Sequence, residues 1–484
     1  MQIPEQVQNI LQKLSAAGFE AYLVGGCVRD LLLVTDIKVK IPKDWDITTN
    51  ALPADIIKVF SDAKYENGFG TVIVKIPEAE RTDNLKYVEV TTYRSEGVYS
   101  DNRHPDEVKF EKKLEKDLER RDFTINAMAM DGEQKLVDLF GGRKDLTKKI
   151  IRAVGEPTDR FKEDALRMMR AIRFAAQLDF KLEPKTQRAI SKLAGAIKFV
   201  SKERIHDELV KILSSSQPSE GIMLLHETKL LQYIIPELES CVGVAQNKHH
   251  TYTVFKHLIE SLRYTKNDSY QVRIASLLHD IAKPVVKKIV QGEITFYNHD
   301  YVGAKMTVKI MRRLKFSVKD IERVSTLVRN HMFYYNVGEV TSASVRRLIR
   351  KVGKDNLQDL IDLRVADRLG SGTPKAMPYK LRHLQYMMEK VQNDPVSVKM
   401  LKLNGDELML LLKVKPGPKI GAILDVLLAE VIDNPHLNTK EQLVKRGQEL
   451  NKLDLQVLRD SAKEKIKQKI TQDDQNIKKN FYVK

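Results

Sequence analysis

Partial alternation of apolar and polar positions is concentrated in the first 130 residues of the chain. Four short runs there are rich in β-branched and aromatic residues and are bounded by Gly, Pro or Asp, as strands are. The predicted strands cover 21–26, 45–49, 70–76 and 86–94. Helical periods flank them over 5–17 and 53–62, and Pro53 suits the start of a helix. The pattern predicts a small mixed α/β domain.

Helical periodicity dominates from about residue 160 onwards. Over 162–178, apolar residues recur at spacings of three and four, which places them on one face of a helix. The same spacing predicts helices over 203–213, 219–231, 271–282, 302–314, 318–331, 342–350 and 355–369. The Lys- and Gln-rich stretch 451–484 predicts an exposed helix or a frayed tail. The chain is therefore predicted to be a multidomain α+β protein, with a small mixed β-sheet first and all-helical domains after it.

Composition limits which binding partners and which cellular compartment the chain is expected to have. A chain of 484 residues suggests roughly three domains. Its formal net charge of +17 favours a polyanionic partner such as nucleic acid, the alternative being a merely soluble basic protein. No apolar run approaches the roughly 18 residues of a membrane span, the N-terminus lacks a secretory pattern, and Cys27 and Cys241 form no disulfide framework. We expect a cytoplasmic protein with no membrane contact; the oligomeric state stays open.

Two carboxylates follow a pair of glycines in the first domain. Gly25 and Gly26 lie between a predicted strand and a helix-like segment, where backbone without Cβ can approach a phosphate. Arg29 follows them and is a candidate clamp for a triphosphate. Asp44 and Asp46 in a strand would point to the same side, and two carboxylates with substrate phosphates commonly hold Mg²⁺. The alternatives are an ordinary strand–turn–helix and an acidic triplet that arose by chance.

A second polar motif is RRDFTINAMAM (120–130), in which two arginines and an aspartate precede a predicted apolar helix. Arg120 and Arg121 are candidates for phosphate contacts, and we expect one of them to make only structural ion pairs. Asp122 and Asn126 are candidates for contacts with a ribose hydroxyl. The motif would thus add nucleotide-binding groups to the metal pair.

A third motif is FKEDALRMMRAIRF (161–174), which is predicted to be helical. Glu163, Asp164 and Arg167 are expected on one helical face, because residues three and four apart are neighbours there. An aspartate accepts hydrogen bonds and an arginine donates them. Together they match the edge of cytosine or adenine, in which an exocyclic amine adjoins a ring-nitrogen acceptor. The alternative is an intrahelical salt bridge, which is common and weak.

Four motifs in this order resemble those of the class II tRNA nucleotidyltransferases, which are the CCA-adding enzymes and related bacterial poly(A) polymerases. The motifs are GGCVRD…DWD, RRDFTINA, DLFGGRKDL (138–146) and EDALR. The resemblance covers about 15–215. It implies addition of CMP and AMP to the tRNA 3′ end from CTP and ATP without a nucleic-acid template. Asp44 and Asp46 would hold two Mg²⁺ ions, and pyrophosphate would leave. The candidate nucleotide-binding residues are Gly25, Gly26, Arg29, Arg120, Asp122, Asn126, Glu163, Asp164, Arg167, Arg170 and Arg173.

Several departures and alternatives accompany the resemblance. Val34 stands where the family usually has Gly, and Lys38–Lys43 lengthens the approach to the aspartates. The turn-rich stretch 91–110 predicts a mobile loop that CC-only members lack, so an A-only enzyme is the nearer alternative and a poly(A) polymerase a further one. Glu89 is either a third acidic neighbour of the metals or a solvent-facing strand residue. A catalytically silent tRNA-binding protein is a rival reading of the whole chain.

A second constellation lies further along the chain. Its residues follow the order His…His-Asp…His…His…Asp and resemble the HD phosphohydrolase domain over about 247–370. The resemblance implies a site for Mn²⁺, Ni²⁺, Co²⁺ or another divalent metal, because its ligands mix imidazole and carboxylate. The candidate ligands are His257, His279, Asp280, His299, His331 and Asp367. The resemblance leaves two possibilities: the site hydrolyses 2′,3′-cyclic or 2′-phosphates of RNA ends, or the domain is retained without catalytic activity. In a rival interpretation the HD domain is the main enzyme and the head is a degenerate RNA-binding module.

The resemblance also suggests domain boundaries. Residues 403–421, with Pro416-Gly417-Pro418 as a rigid turn, resemble the tail motif of HD-bearing members. The predicted domains are a nucleotidyltransferase head (1–150), a helical neck and body (151–246), the HD domain (247–370), a helical tRNA-binding tail (371–450) and a basic C-terminal helix or tail (451–484).

Overall fold

The structure is a computed structural model. It describes residues 3–33, 42, 44–66, 70–78, 81, 85–96, 108–246, 251–372, 377–392 and 398–483. The chain forms two compact units, the first made of Met1–His331 with Asp359–Pro374 and the second of Met332–Gln358 with Lys375–Lys484. The chain thus leaves the first unit after His331 and returns to it at Asp359.

Three of the sequence features fall wholly or partly outside the described residues. They are Val34, Lys38–Lys43 except for Pro42, and residues 97–107 of the predicted loop. The described ends of that loop form a two-stranded antiparallel ribbon, in which Arg94 pairs with Phe110.

Most of the β-structure lies at the start of the chain, as predicted. The strands are β1 (Ala21–Val24), β2 (Asp46–Thr49), β3 (Lys64–Tyr65), β4 (Thr71–Lys75), β5 (Tyr87–Thr92), β6 (Arg94–Glu96), β7 (Val108–Phe110), β8 (Ala129–Met130), β9 (Leu136–Val137), β10 (Ile150–Ile151), β11 (Lys181–Leu182), β12 (Lys288–Val290) and β13 (Glu293–Thr295). Seven of them form one mixed sheet in the order β3-β4-β5-β2-β1-β8-β9. Within it β2 and β5 are parallel and the other described neighbours are antiparallel.

The helices occupy the rest of the described chain. They are α1 (Glu5–Ala16), α2 (Gly26–Leu33), α3 (Pro53–Val59), α4 (Leu114–Glu119), α5 (Gly142–Thr147), α6 (Pro157–Glu163), α7 (Leu166–Leu178), α8 (Pro184–Leu193), α9 (Lys202–Leu213), α10 (Pro218–Glu227), α11 (Leu231–Ile234), α12 (Pro236–Glu239), α13 (Val254–Arg263), α14 (Tyr270–Leu278), α15 (Lys283–Val286), α16 (His299–Arg313), α17 (Val318–Asn330), α18 (Ser342–Val352), α19 (Leu357–Gly370), α20 (Tyr379–Gln392), α21 (Gly405–Leu412), α22 (Pro418–Asp433), α23 (Lys440–Leu450) and α24 (Leu455–Asn480). Each helix in the described part of the chain is too short or too polar to cross a bilayer.

The central strands of the mixed sheet are held by apolar side chains. Leu23, Ile47, Val88 and Val90 are fully buried on β1, β2 and β5. Burial of such side chains stabilises each by about 1.5–3 kcal/mol relative to exposure. The candidate catalytic residues lie at the polar ends of these same strands. The prediction of an α+β chain with a small mixed sheet in its head and helical domains after it is confirmed.

The second unit has its own core. Leucine-rich faces of α21, α22, α23 and α24 pack around Leu403, Leu408, Ile423 and Leu427. The proline–glycine turn ends where predicted, since α22 begins at Pro418 directly after an extended Gly417. The stretch after residue 451 is helical over most of its length, as α24.

Candidate active site

The two glycines form the turn between β1 and α2. Gly25 has φ +81°, a left-handed conformation that glycine adopts without strain, and α2 begins at Gly26. A Cβ atom on Gly25 would lie 3.2 Å from Arg121 Nη1 and 3.7 Å from Asp46 Oδ2. The absence of a side chain therefore lets an arginine and an aspartate approach the turn from two other elements.

The two predicted metal-binding aspartates lie at the start of β2, but not both within it. The strand begins at Asp46, and Asp44 precedes it as an exposed residue, so the argument from alternation along a strand was wrong for this pair. Buried Trp45 separates them, and both carboxylates still line one cleft of about 600 Å³. Burial raises the pKa of Asp46, with Arg121 opposing the shift and Asp44 adding to it.

Glu89 lies beside Asp46 on the parallel neighbour. The two residues are direct register partners of β5 and β2, so their side chains share one face of the sheet. Glu89 is half-buried, and burial followed by repulsion from Asp46 raises its pKa. Of the two interpretations of Glu89, the acidic neighbour matches the structure better than the solvent-facing residue.

Most of the predicted nucleotide-binding residues surround the same cleft. Those that line it are Gly25, Gly26, Arg29, Asp122, Asn126, Arg170 and Arg173, together with Asp44 and Asp46. They come from the glycine turn with α2, the start of β2, the segment after α4, and α7, so the fold gathers three separate sequence motifs into one concave site.

A hydrogen-bonded chain fixes the polar wall of the cleft. Arg29 Nη1 donates to Asn126 Oδ1 at 2.9 Å, and Asn126 Nδ2 donates to Asp122 Oδ1 at 3.4 Å. Arg170 Nε and Nη2 meet Asp122 Oδ2 at 2.8 and 2.6 Å. Burial alone would raise the pKa of Asp122, but Arg170 and Arg167 hold it below its usual value. The carboxylate therefore stays ionised and orients donors on both sides.

The segment that carries Asp122 and Asn126 is not the helix that the sequence predicted. Thr124–Asn126 is a single 3-10 turn, and the chain then enters β8, which pairs with β1. Each residue over 122–130 is buried, so the segment lacks the polar face of a surface helix. Gly142 closes over it, because a Cβ there would lie 2.3 Å from the Thr124 carbonyl oxygen.

Phe174 forms an aromatic floor beneath the arginines. The guanidinium carbons of Arg29, Arg170 and Arg173 lie 5.2, 5.6 and 4.1 Å from its ring centroid. Such cation–π contacts favour a fixed orientation of each cation. Arg173 Nε also lies 2.9 Å from Glu208 Oε2 on α9.

A second, smaller cavity of about 270 Å³ adjoins the cleft. Arg120, Asp164 and Arg167 line it, and Arg121, Asp122 and Arg170 border both cavities. The predicted continuous helix over 162–178 was wrong, because α6 ends at Glu163 and α7 begins at Leu166. Asp164 is extended between them, and its Oδ1 accepts the N–H of Leu166 at 3.0 Å, as a helix-capping aspartate does.

The break changes the partners of the predicted base-reading residues. Asp164 receives two hydrogen bonds from Arg204 on α9, at 3.3 and 2.7 Å. Arg167 Nη1 donates to Glu163 Oε2 at 2.6 Å, and its Nη2 donates to the Arg120 carbonyl at 3.2 Å. The three residues therefore do not share one helical face. The alternative, an intrahelical salt bridge, is met only in part, because the Glu163–Arg167 ion pair joins the end of α6 to α7 instead of lying within one helix.

Six side chains of the second constellation converge from five helices of the first unit. They are His257 in α13, His279 and Asp280 after α14, His299 at the start of α16, His331 after α17 and Asp367 in α19. All except His299 are buried. The helix predicted over 271–282 is shorter in the structure, because α14 ends at Leu278, so His279 and Asp280 lie just beyond a helix end.

Asp280 lies at the centre of this cluster. Its Oδ2 is 3.3 Å from His257 Nε2 and 3.4 Å from His279 Nε2, while its Oδ1 is 3.3 Å from His299 Nε2 and 3.7 Å from His331 Nε2. Asp367 Oδ1 lies 3.4 Å from His257 Nε2. Spacings of this size are those of donor atoms around a divalent metal, to which each bonds at about 2.0–2.2 Å.

Backbone contacts orient the imidazoles toward the centre. The Nδ1 atoms of His279, His299 and His331 lie 2.7–2.8 Å from the carbonyl oxygens three residues earlier, which leaves Nε2 as the inward-facing nitrogen. His257 Nε2 and His279 Nε2 are 3.0 Å apart. Two such nitrogens repel each other unless a proton or a metal ion lies between them. Burial alone would lower the pKa of His279, but Asp280 and Asp367 raise it to about 10.

Known proteins match the chain over nearly its whole length. The Poly A polymerase head domain matches 21–152, the "Probable RNA and SrmB- binding site of polymerase A" matches 179–242, and the HD domain matches 248–371. A CCA-adding enzyme from Ligilactobacillus salivarius is 35% identical over 455 residues, which cover 93% of this chain and 98% of that protein. The chain belongs to the CCA-adding enzyme family of nucleotidyltransferases. The resemblance drawn from the sequence, including the HD domain, is confirmed.

Two other members of the family show which proteins it includes. An A-adding tRNA nucleotidyltransferase from Deinococcus radiodurans is 36% identical over 331 residues, which cover 65% of this chain and 74% of that protein. The crystal structure of Bacillus stearothermophilus CCA-adding enzyme in complex with CTP is 27% identical, with a TM-score of 0.57, and the match covers 93% of this chain and 98% of that one. The family therefore includes proteins named for CCA addition and for A addition.

Some residues of this CCA-adding-family site were not assigned to it from the sequence. Among them, Phe174 lines the larger cleft and Arg204 the smaller cavity, whereas Arg121, a predicted phosphate contact, borders both. Arg204 lies 40 positions from Asp164, and no periodicity or motif connects them. Of these three residues, only Arg121 had a signal in the sequence, which was its place in the doubled arginine of RRDFTINAMAM.

Proposed function

We propose that the chain adds CCA to the 3′ end of tRNA in the cytoplasm, using CTP and ATP and releasing pyrophosphate. The observation that carries the proposal is the cleft in which Asp44 and Asp46 adjoin a wall of arginines, next to a cavity lined by Asp164 and Arg167. The CCA-adding relative that spans the chain and the CTP-bound homologue support the same substrates.

The donor set at the base of the cleft fits Mg²⁺. Asp44 and Asp46 offer carboxylate oxygens, and burial with mutual repulsion makes a nearby cation favourable. Two bound Mg²⁺ ions would supply charge stabilisation for the RNA 3′-hydroxyl and for the triphosphate. Gly25 and Gly26 leave room for phosphate oxygens at the start of α2, and Arg29 and Arg121 supply donors for them.

The smaller cavity supplies a means of choosing the base. Asp164 accepts hydrogen bonds and Arg167 donates them, so together they complement the amine and ring nitrogen of cytosine or adenine. Arg204 holds the Asp164 carboxylate, and the Arg120 carbonyl holds Arg167. A base that presents the opposite pattern would leave buried donors or acceptors without partners, which is costly.

The test replaces either metal-binding aspartate. Asp44→Ala and Asp46→Ala should lose incorporation of labelled CMP and AMP into tRNA that lacks its CCA end, by at least about a thousandfold. Their affinity for tRNA should stay within about twofold of wild type, because phosphate contacts elsewhere carry that binding. Asp159→Ala, an exposed aspartate on α6, is the matched control. Normal turnover by either variant would refute the assignment.

A second function is favoured by the cluster around Asp280. Four imidazole nitrogens and two carboxylates fit a transition metal such as Mn²⁺, Ni²⁺ or Co²⁺. We infer a metal-dependent phosphohydrolase that acts on 2′,3′-cyclic or 2′-phosphates of RNA ends. The bound metal would supply an activated water for attack on phosphorus.

The inference is tested with the purified full chain and each metal added separately. Hydrolysis of a 2′,3′-cyclic nucleotide should appear with Mn²⁺ or Ni²⁺, and His279→Ala should remove both the hydrolysis and the bound metal measured by elemental analysis. His206→Ala is the control, because His206 lies on α9 beside Phe316. Metal bound without hydrolysis would favour a structural site.

A further inference from the structure

Asp117 is a fully buried acid next to the nucleotide site, and it belongs neither to the proposed metal ligands nor to the proposed nucleotide contacts. It lies in α4 with none of its side chain exposed, and it is not among the residues that line either cavity. Its Oδ1 accepts from Arg120 Nε and Nη2 at 3.0 and 2.7 Å. Its Oδ2 accepts from Arg121 Nη2 and Thr48 Oγ1, both at 3.1 Å. One carboxylate thus receives four hydrogen bonds, which fills its acceptor sites.

Each contact of Asp117 leads to a different part of the site. Thr48 lies on β2, two residues after Asp46. Arg121 borders both cavities, and its Nη1 is the atom that approaches the Gly25 turn, opposite the Nη2 that Asp117 holds. Arg120 lines the smaller cavity, and its carbonyl accepts from Arg167. The carboxylate therefore joins the metal strand, the phosphate side and the base side.

The negative charge of Asp117 offsets the repulsion between the neighbouring cations Arg120 and Arg121. Arg120 and Arg121 are adjacent in the chain, and their guanidinium groups share the two oxygens of one carboxylate. Without that charge the two cations would repel each other and would lose the contacts that fix their direction. A forked guanidinium held along one edge points its other nitrogens in a fixed direction.

We propose that Asp117 is a positioning residue of the nucleotidyl-transfer site, which orients Arg120 and Arg121 for the incoming nucleotide and ties them to β2. This rests on the proposed function, because the nucleotide is the substrate of that reaction. Asp117 would not touch the nucleotide itself. Its effect would pass through the two arginines, so nucleotide affinity would depend on it and tRNA affinity would not.

The first test is Asp117→Asn in the full chain, which keeps the side-chain shape and removes the charge. We expect the Kd for CTP and for ATP, measured by equilibrium binding, to rise at least about tenfold, while the Kd for tRNA changes less than about twofold. Asp145→Asn is the matched control. Asp145 is also buried and accepts from a threonine, Thr124 at 2.8 Å, and an arginine, Arg152 at 2.9 Å, neither of which lines a cavity. It should lower the melting temperature without raising the nucleotide Kd.

The second test asks whether Asp117 acts through an arginine. Replacing both arginines, Arg120→Lys with Arg121→Lys, keeps the charges and loses both forks, and in that background Asp117→Asn should raise the nucleotide Kd by less than about twofold. Additive effects would overturn the proposal, as would a nucleotide Kd in Asp117→Asn that matches wild type. If Asp117→Asn does not fold, Thr48→Val removes one hydrogen bond to Oδ2 and should raise the nucleotide Kd about two- to fivefold; no change would contradict the positioning role.

The nucleotide-binding measurements distinguish a failure of this proposal from a failure of the proposed function. A wild-type chain that binds CTP and ATP but incorporates neither contradicts nucleotidyl transfer and leaves the positioning role to be decided by the Kd values. A wild-type chain that incorporates both, with an unchanged Kd in Asp117→Asn, contradicts the positioning role alone.

Discussion

At the scale of single residues, the chemistry of the site depends on how each charged group is held. Asp164 and Arg167 were predictable as a pair of opposite hydrogen-bonding character from their types and spacing. Their partners were not predictable, because Arg204 reaches Asp164 from a helix 40 positions away. An ion pair between distant positions depends on the packing of whole elements, which a local sequence pattern does not contain.

The pairing of Asp164 leads to a prediction about base choice. Asp164→Ala and Arg167→Ala should each relax selection, so that the ratio of kcat/KM for CTP over UTP falls by about 10- to 100-fold. The reason is that each variant loses one half of the complement to an amine beside a ring nitrogen. The measurement is single-nucleotide incorporation with each of the four nucleotides. Selectivity as in wild type, with Asp159→Ala as the reference variant, would show that these residues do not read the base.

At the scale of elements, periodicity predicted most helices and strands but not where they break. The apolar period over 162–178 continues across Asp164, so the break between α6 and α7 was missed even though an aspartate two residues before Leu166 is a good helix cap. The apolar residues after Asp122 predict a helix because small apolar residues suit one, but full burial and pairing with β1 favour a 3-10 turn and a strand. Local capping by Asp164 therefore explains the break between α6 and α7, and tertiary burial explains the 3-10 turn and strand after Asp122.

The glycine turn before α2 allows an element-scale prediction. Gly25→Ala should lower incorporation at least tenfold (about 1.4 kcal/mol or more), because its φ of +81° strains an L-residue and its Cβ would lie 3.2 Å from Arg121. Gly18→Ala is a matched control, since Gly18 has φ +87° and no atom within 4 Å of a Cβ. It should show the backbone strain as a loss of melting temperature and retain incorporation. Equal losses of incorporation in both variants would mean that the close approach of Arg121 does not matter.

At the scale of the whole molecule, one chain carries two clusters of chemically distinct donors. The cleft at β2 offers carboxylates and arginines, and the cluster around Asp280 offers imidazoles and carboxylates. Hard oxygen ligands favour Mg²⁺, whereas mixed imidazole ligands favour transition metals, so the proposed function expects a different metal at each site. The order of the HD motif along the sequence was sufficient to name all six converging residues, although periodicity did not predict α13, the helix that carries His257.

The net charge of +17 gives a prediction for the complete chain. If basic side chains carry tRNA binding, log Kd should rise linearly with log salt, with a slope of at least about 3, as counterions are released from several phosphates. The affinity for CTP, which rests on a few buried groups, should depend less steeply on salt. The measurement is tRNA binding between about 50 and 200 mM salt. A tRNA affinity that does not change over that range would contradict an electrostatic interface.

The most direct test of nucleotidyl transfer follows the tRNA 3′ end itself. Wild-type protein is incubated with Mg²⁺, CTP and ATP and with three tRNA substrates that end before CCA, after its first C and after its second C, and the 3′ ends are then sequenced. Addition of C-C-A, C-A and A respectively is the predicted result. Addition of A only to the substrate that already ends in CC would identify an A-adding enzyme, and no addition to any of the three would contradict the assignment of the cleft.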